Sequence, residues 1–252
     1  MNKKIFDIVI LNGRPAAGKS EILDFLKKVP VAERRRRFHV GEFLEIDDFP
    51  ILWERFEDDD IMEEMGQKRL ISDKTFLHEG KTYPGYIFKE QWYWNFLIRK
   101  INRAYEKQLR DQPSLHEKRT VFLEFSRGSE HGGFRSAYAH LSEAILVRAV
   151  TLYIHVTFEE SLRKNRRRFN PDKPDSVLQH SLEDQKMAKL YRDSDWEDFA
   201  AVDEKFLRVG DRRVPYAVFD NMPEKTDRPE VLGPYLEKIM SVLWQRQKEI
   251  RS

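Results

Sequence analysis

The chain has 252 residues, 40% of them hydrophobic and 35% charged, with 45 Lys and Arg against 43 Asp and Glu for a formal net charge of +2. That length buries one substantial core, as one domain or a domain with a large insertion, and the charge balance gives no argument for a nucleic-acid partner over the whole surface, although basic residues cluster locally. The absence of cysteine excludes disulfides and thiolate metal sites. The early apolar run has no small-residue cleavage site after it. No stretch approaches the roughly 18 apolar residues of a membrane span, so the expectation is a cytoplasmic protein without membrane contact.

Ile5-Phe6-Asp7-Ile8-Val9-Ile10-Leu11 is a short apolar run rich in β-branched residues and reads as a buried strand. Gly13-Arg14-Pro15-Ala16-Ala17-Gly18-Lys19-Ser20 follows it. These residues fit G-x-x-x-x-G-K-[ST], the phosphate-binding P-loop or Walker A motif. Glycines let the backbone approach an anion and take positive φ. Successive N–H groups then face one concavity, and the next helix adds its positive end. Lys19 can reach the β- and γ-phosphates, and the Ser20 hydroxyl can ligate Mg²⁺. Glu21 to Lys28 has helical spacing of apolar residues. Gly13 to Ser20, with Glu21 opening the helix, are therefore the expected nucleotide-binding residues, for ATP or GTP with Mg²⁺.

Val31-Ala32-Glu33-Arg34-Arg35-Arg36-Arg37 carries four consecutive arginines. Such a run contacts phosphates or RNA, or lies as a solvated loop or helix face. Phe38 to Ile46 has strand character, and Asp47-Asp48-Phe49-Pro50 follows. Acids just after a second strand lie at the carboxyl edge of an open α/β sheet, where ligands bind. Helix N-capping is the other reading of Asp47 and Asp48.

Residues 51 to about 112 look mostly helical. Ile51 to Leu70 has apolar residues at helical spacing and includes the acid run Glu57-Asp58-Asp59-Asp60, of the kind that faces solvent. Ser72 to Tyr86 is less regular, broken by Gly80, Pro84 and Gly85, and has room for a small hairpin. Phe88 to Arg110 reads as one long helix. Its aromatic start, Trp92, Tyr93, Trp94 and Phe96, is either core or a wall on which a planar substrate stacks.

Arg119 to Phe125 is the next strong strand and leads into Ser126-Arg127-Gly128. A buried strand ending in an acid near the P-loop is what a Walker B element provides; here the acid is Glu124, where the usual residue is Asp. Arg127 stands where a guanidinium can grip a phosphate or carboxylate with two prongs. A structural ion pair between Glu124 and a neighbouring arginine is the plainer reading. Phe134 to Val147 reads as a helix and Ala149 to Val156 as a strand. The densely basic helix Phe158 to Phe169 follows. Asn170-Pro171-Asp172-Lys173-Pro174 breaks it, and a second helix starts near Val177 or Ser181. Val214 to Asn221 gives a last strand, paired with Phe206 to Val209 through the Gly210-Asp211-Arg212 turn. Pro229 to Arg251 closes the chain as an amphipathic helix.

Strands alternating with helices argue a mostly parallel sheet covered on both faces. The P-loop places the chain in resemblance to the P-loop NTPases. The order of the remaining parts resembles the nucleoside and nucleotide kinase branch. That resemblance implies a three-layer α/β P-loop kinase-like fold with a mostly parallel five-stranded sheet. It implies a single domain over residues 1–252, with a helical substrate-side insertion at 51–112 and a lid-like segment at 158–192. Glu124-Phe125-Ser126-Arg127 is similar to the Glu-Arg-Ser element of deoxynucleoside kinases, at a different spacing.

What the resemblance implies is a kinase that transfers the γ-phosphate of Mg·ATP to a small-molecule acceptor, a nucleoside or nucleotide among the candidates. Lys19 would stabilise charge on the β/γ bridge. Ser20 would hold Mg²⁺, with Glu124 or Asp47 around the ion, and Asp47 or Glu124 would take the acceptor proton. Arg127 would position the acceptor, and Arg163, Arg166 and Arg167 would clamp the transferring phosphoryl group. Asn221 would lie in the loop against the nucleobase, or act as a plain turn residue. The alternative is a nucleotide-dependent switch or NTPase with a protein or RNA partner. A kinase of toxin type acting on a nucleotide sugar would differ only in acceptor.

Overall fold

A computed structural model describes residues 4–168 and 182–251. The elements in chain order are β1 (Ile8–Gly13), α1 (Lys19–Lys28), α2 (Val31–Phe38), β2 (Glu42–Asp47), α3 (Asp48–Glu64), β3 (Ser72–His78), β4 (Lys81–Phe88), α4 (Trp92–Asp111), α5 (Leu115–Lys118) and β5 (Arg119–Glu124). There follow α6 (Gly133–Ala139), α7 (Glu143–Leu146), β6 (Ala149–His155), α8 (Phe158–Arg168), α9 (Asp184–Tyr191), α10 (Trp196–Ala200), β7 (Phe206–Val209), β8 (Arg212–Asp220) and α11 (Pro229–Arg251).

The main sheet has the order β2-β5-β1-β6-β8-β7. The first five strands are parallel and β7 pairs antiparallel with β8. The expected five-stranded sheet therefore has six strands. A parallel neighbour needs a crossover, whereas an antiparallel one needs only a tight turn, and Gly210, at φ 55°, supplies the turn that adds β7 to the edge.

Alternation along β1 divides the core. Ile8 and Ile10 face Ile98, Ile101 and Tyr105 of α4, Phe134 and Tyr138 of α6, and Trp196 and Phe199 of α10. Val9 and Leu11 face Ile22, Leu23 and Leu26 of α1, Phe38 of α2, and Leu236, Met240 and Leu243 of α11. Both faces of β1 are thus buried, which is why its sequence is apolar without interruption. The central place of β1 in the strand order puts the loop after it at the middle of the sheet's carboxyl edge. Among the described residues no helix is long and apolar enough to cross a membrane.

Several local expectations change. The helix expected from Phe134 to Val147 is two helices, α6 and α7. Asn102 of α4 holds the break open by donating to His140 O and accepting from Ser142 N. The helix expected from Phe88 starts at Trp92, because Phe88 ends β4. The small hairpin for which Ser72 to Tyr86 has room is present as β3–β4, lying between α3 and α4. The expected break at Asn170 to Pro174 and the helix start near Val177 or Ser181 lie outside the described residues.

The acid run on α3 does not simply face solvent. Asp59 is fully buried and accepts hydrogen bonds from the Leu70, Ile71 and Ser72 amides and from the Ser72 hydroxyl. Asp60 accepts from Tyr86 Oη at 2.6 Å and pairs with Arg69. Two carboxylates therefore fasten the hairpin to α3. Burial works to raise the Asp59 pKa, but the four donors outweigh it and hold the carboxyl below its ordinary 3.8. A lowered pKa means stability that is present above the unfolded value and lost as acid reaches the folded one. Asp59→Ala is expected to cost about 3 kcal/mol near neutral pH, since three amides lose a charged acceptor. Calorimetry of both proteins should show that gap narrowing as the pH falls below about 4.

Candidate active site

The P-loop takes its shape from the way its carbonyls are held. Pro15 O accepts from Ser161 Oγ of α8 at 2.6 Å, and Ala17 O accepts from Asn221 Nδ2 at 2.8 Å. A trans peptide points its C=O and the following N–H to opposite sides. The Ala16 and Gly18 N–H groups therefore point away from Ser161 and Asn221, free as the backbone donors of an anion-binding nest need to be. Ala16 and Gly18 both have positive φ, 56° and 119°. Gly13 admits no side chain, because a Cβ there would lie 2.6 Å from Ile154 O on the neighbouring strand. Gly18 caps α1 without a side-chain hydrogen bond, so the first-turn amides are left uncapped beside the loop.

Within this loop the side chains divide between two tasks. Arg14 turns away from the concavity and donates to the carbonyls of Val156, Tyr191 and Arg192, at 3.1, 3.2 and 3.2 Å. It fastens the loop to the end of α9. Lys19 is buried; its Nζ donates to Ser126 Oγ at 2.8 Å and to Arg14 O at 3.3 Å, and lies 3.8 Å from Glu124 Oε1. Ser20 is exposed at the start of α1, and Glu21 follows in the first turn. Asn221 is buried, with Nδ2 on Ala17 O and on Thr226 Oγ1 and with Oδ1 accepting from Lys225 N. Its hydrogen bonds tie the loop after β8 to the P-loop.

The acids come from adjacent strands. Asp47 ends β2 and Glu124 ends β5, and the two are register partners, so their side chains share one face of the sheet. Asp47 caps α3, accepting from Phe49 N at 3.0 Å. Burial first, then the Glu124 and Asp48 charges, push its carboxyl up to about 8. Asp48 turns inward to Arg127, 2.6 Å from its Nη1. Arg127 is 2% exposed and also donates to Ser126 O and Trp94 O. The arginine after β5 thus pairs with Asp48, and it is Lys19 that lies beside Glu124.

A cavity of ≈ 190 Å³ joins these parts. Pro15, Ala16, Lys19, Ser20, Asp47, Asp48, Glu124, Ser126 and Arg127 line it, together with Phe49, Leu52, Phe56, Tyr86 and Trp94 of α3, β4 and α4. The lid-like segment contributes Asn165, Leu182, Lys186, Leu190 and Tyr191. The expected lid arginines are elsewhere. Arg163 pairs with Glu160 at 2.7 Å and Glu224 at 3.4 Å, and Arg166 pairs with Asp184 at 2.5 Å. Arg167 is exposed on α8. The four-arginine run is part of α2, where Arg34 is buried on Leu26 O and Arg37 pairs with Glu33 and Glu237.

Ser126, which the sequence places only within the Glu124-Phe125-Ser126-Arg127 stretch, hydrogen-bonds Lys19, and Lys186 carries no signal in the sequence that marks it as a site residue. Its place one residue before Met187 and four before Leu190 says only that it lies toward the apolar side of a short helix. Among the described residues no group of three or more His, Asp or Glu side chains is arranged to hold a metal ion. Mg²⁺ at a phosphate site takes one or two protein oxygens and completes its shell with phosphate and water. The exposed Ser20 hydroxyl and the Glu124 carboxylate beside Lys19 fit that limited demand.

No family model matches the chain, and no curated protein matches it. Among solved structures it is similar to the crystal structure of APE1195, at 11% identity over 94% of this chain and 98% of that one, with a TM-score of 0.33. It is also similar to shikimate kinase from Acinetobacter baumannii in complex with shikimate, at 16% identity over 79% and 78% of the two chains, with a TM-score of 0.30. At such scores neither likeness carries an argument, and the architecture rests on the strand order and loop geometry above.

The raised pKa of Asp47 has a stability consequence. The folded protein binds this proton more tightly than the unfolded chain does, so stability falls as pH rises from about 4 to about 8. Asp47→Asn is expected to melt above the wild type at pH 9. The difference should shrink as the pH is lowered toward 4, as read by calorimetry across that range.

Proposed function

We propose that this protein is an ATP-dependent phosphotransferase that moves the γ-phosphate of ATP to the hydroxyl of a small-molecule acceptor, with nucleosides and nucleotides among the candidates. The observation that carries the reading is the convergence of Lys19, Asp47, Glu124 and Arg127 on one cavity beside the P-loop. In this reading the chain acts as one P-loop kinase-like unit, with residues 51–112 as the acceptor-side insertion and 158–192 as the lid.

The roles follow from chemistry. The backbone of Gly13 to Ser20 cradles the nucleotide phosphates. Lys19 meets the charge that grows on the β/γ bridge during transfer. Mg²⁺, held by Ser20 and Glu124, would supply further neutralisation of the phosphate oxygens. Asp47 accepts the proton of the acceptor hydroxyl, a task suited to a carboxyl whose pKa lies near neutrality. Arg127, oriented by Asp48 and Trp94 O, directs the acceptor. Asn221 supports the nucleotide through the loop it holds. Arg163, Arg166 and Arg167 join the reacting phosphoryl group only after a lid movement, since Arg163 and Arg166 have carboxylate partners outside the cavity.

The test is ADP release from Mg·ATP against a panel of nucleosides, nucleoside monophosphates, sugars and hydroxy acids. Acceptor-dependent release is expected. Lys19→Ala is expected to lower it by about 10²–10³-fold or more, with an unchanged circular dichroism spectrum. Release that ignores every acceptor, or full activity in Lys19→Ala, would overturn the proposal.

A further inference from the structure

Three cations line the cavity: Lys19, Arg127 and Lys186. Two of them have a fixed carboxylate beside them, Glu124 at 3.8 Å from Lys19 and Asp48 at 2.6 Å from Arg127. Lys186 has no carboxylate within ion-pair distance among the described residues. Three positions further along the same helix, Lys189 does pair, with Glu130 at 3.3 Å. The difference is one of surroundings.

The Lys186 side chain lies against the insertion. Its Nζ stands 5.9 Å from the centre of the Phe56 ring of α3, and its Cδ is 3.8 Å from where a Cβ on Gly85 of β4 would be. Met187, Leu190 and Tyr191 of the same helix pack on Ile87, so apolar groups surround the stem. Burial pulls the ammonium down to about 8, against the pull of Glu183. An amine held among aromatic and aliphatic walls is costly until an anion reaches it. The ring below it offers only a weak cation–π contact.

Position separates this cation from the phosphoryl chemistry. Lys19 serves the P-loop side of the cavity, where the nucleotide charge is expected. Lys186 belongs to the side walled by Phe56 and Tyr86. A molecule filling the cavity would lie along aromatic faces, with Asp47, Glu124 and the Lys186 ammonium all lining the space it fills.

We propose that Lys186 selects the acceptor: it pairs with a carboxylate or phosphate on a flat, apolar-faced small molecule whose hydroxyl is turned toward Asp47. This rests on the phosphotransferase reading for the role of the bound molecule, and on the cavity alone for the anion site. Lys186 is here a specificity residue that takes no part in the proton or phosphoryl transfer.

The experiment uses the full chain and matched probes: a hydroxybenzoate against its amide, and a nucleoside monophosphate against its nucleoside. Binding is read by calorimetry in the presence of a non-hydrolysable ATP analogue, and turnover by ADP release. In the wild type the anionic member of one pair is expected to bind about tenfold to a hundredfold more tightly than its neutral partner, as one hydrogen bond to a charged group provides. The pair that shows the preference tells carboxylate from phosphate. Lys186→Met should bring that ratio to about one, and Lys186→Arg should retain most of it. Equal binding of both members of each pair, or failure of every anionic probe to bind the wild type, overturns the proposal. So does a Lys186→Met protein whose kcat falls alike for all acceptors at unchanged KM, which would put the lysine at the transferring phosphoryl group. A Lys186-dependent anion preference in binding, without acceptor-dependent ADP release, would uphold the site and overturn the phosphotransferase reading.

Discussion

The hydrogen bonds on the outer side of the P-loop shape everything around them. A buried carbonyl must be paired, and here the partners come from distant segments: Ser161 for Pro15 O and Asn221 for Ala17 O. Because the peptide is rigid and trans, satisfying the carbonyls on one side aims the next amides away from those partners. The same contacts join α8 and the loop after β8 to the end of β1. Arg14 extends the fastening to the end of α9 through three backbone carbonyls. One strained turn is therefore held from several directions, which is how backbone at positive φ persists.

Charge balance around the cavity follows from that arrangement. Parallel pairing of β2 with β5 brings Asp47 level with Glu124, and Asp48 is the next residue. Burial raises the Asp47 and Asp48 carboxyls above their ordinary range, and the neighbouring Glu124 and Asp48 charges raise Asp47 further. Lys19 lies beside Glu124 and Arg127 pairs with Asp48, yet burial still holds the Asp48 carboxyl above its ordinary value, and Asp47 is pushed up to about 8. Removing one member of the buried Asp48–Arg127 pair would leave a charge without compensation, a loss of about 3–5 kcal/mol. A ligand entering the cavity therefore meets carboxylates, cations and ring faces together.

The α3–β4 segment and α9 owe their positions to polar anchors as much as to apolar packing. Phe56, Phe88, Trp94 and Leu97 form a small separate core, and Asp59 and Asp60 clamp the hairpin to α3 beside it. Met187, Leu190 and Tyr191 make another under α8. Small satellite cores bury limited area and open more readily than the main sheet. The segments bordering the cavity are thus those best suited to move when a ligand enters or leaves.

The strand, loop and helix around Gly13 to Ser20 were legible in the sequence, because glycine positions, an apolar run and helical spacing are local signals. So were the strand ending in Glu124, the hairpin near Gly80 and the antiparallel pairing of Phe206 to Val209 with the last strand, since each depends on neighbours in the chain. The destinations of charged side chains were not legible. Arg34 and Asp59 sit in charged runs and are buried; Arg163 and Arg166 sit in a basic helix and bind nearby carboxylates. The sequence by itself determined the P-loop and the alternation of strands and helices that carries it. Tertiary structure alone decided that Arg127 meets Asp48, that Lys19 lies beside Glu124, and that Lys186 faces the cavity. An ion pair joins residues far apart in the chain, and its partner is set by which strands lie side by side and which helix covers them.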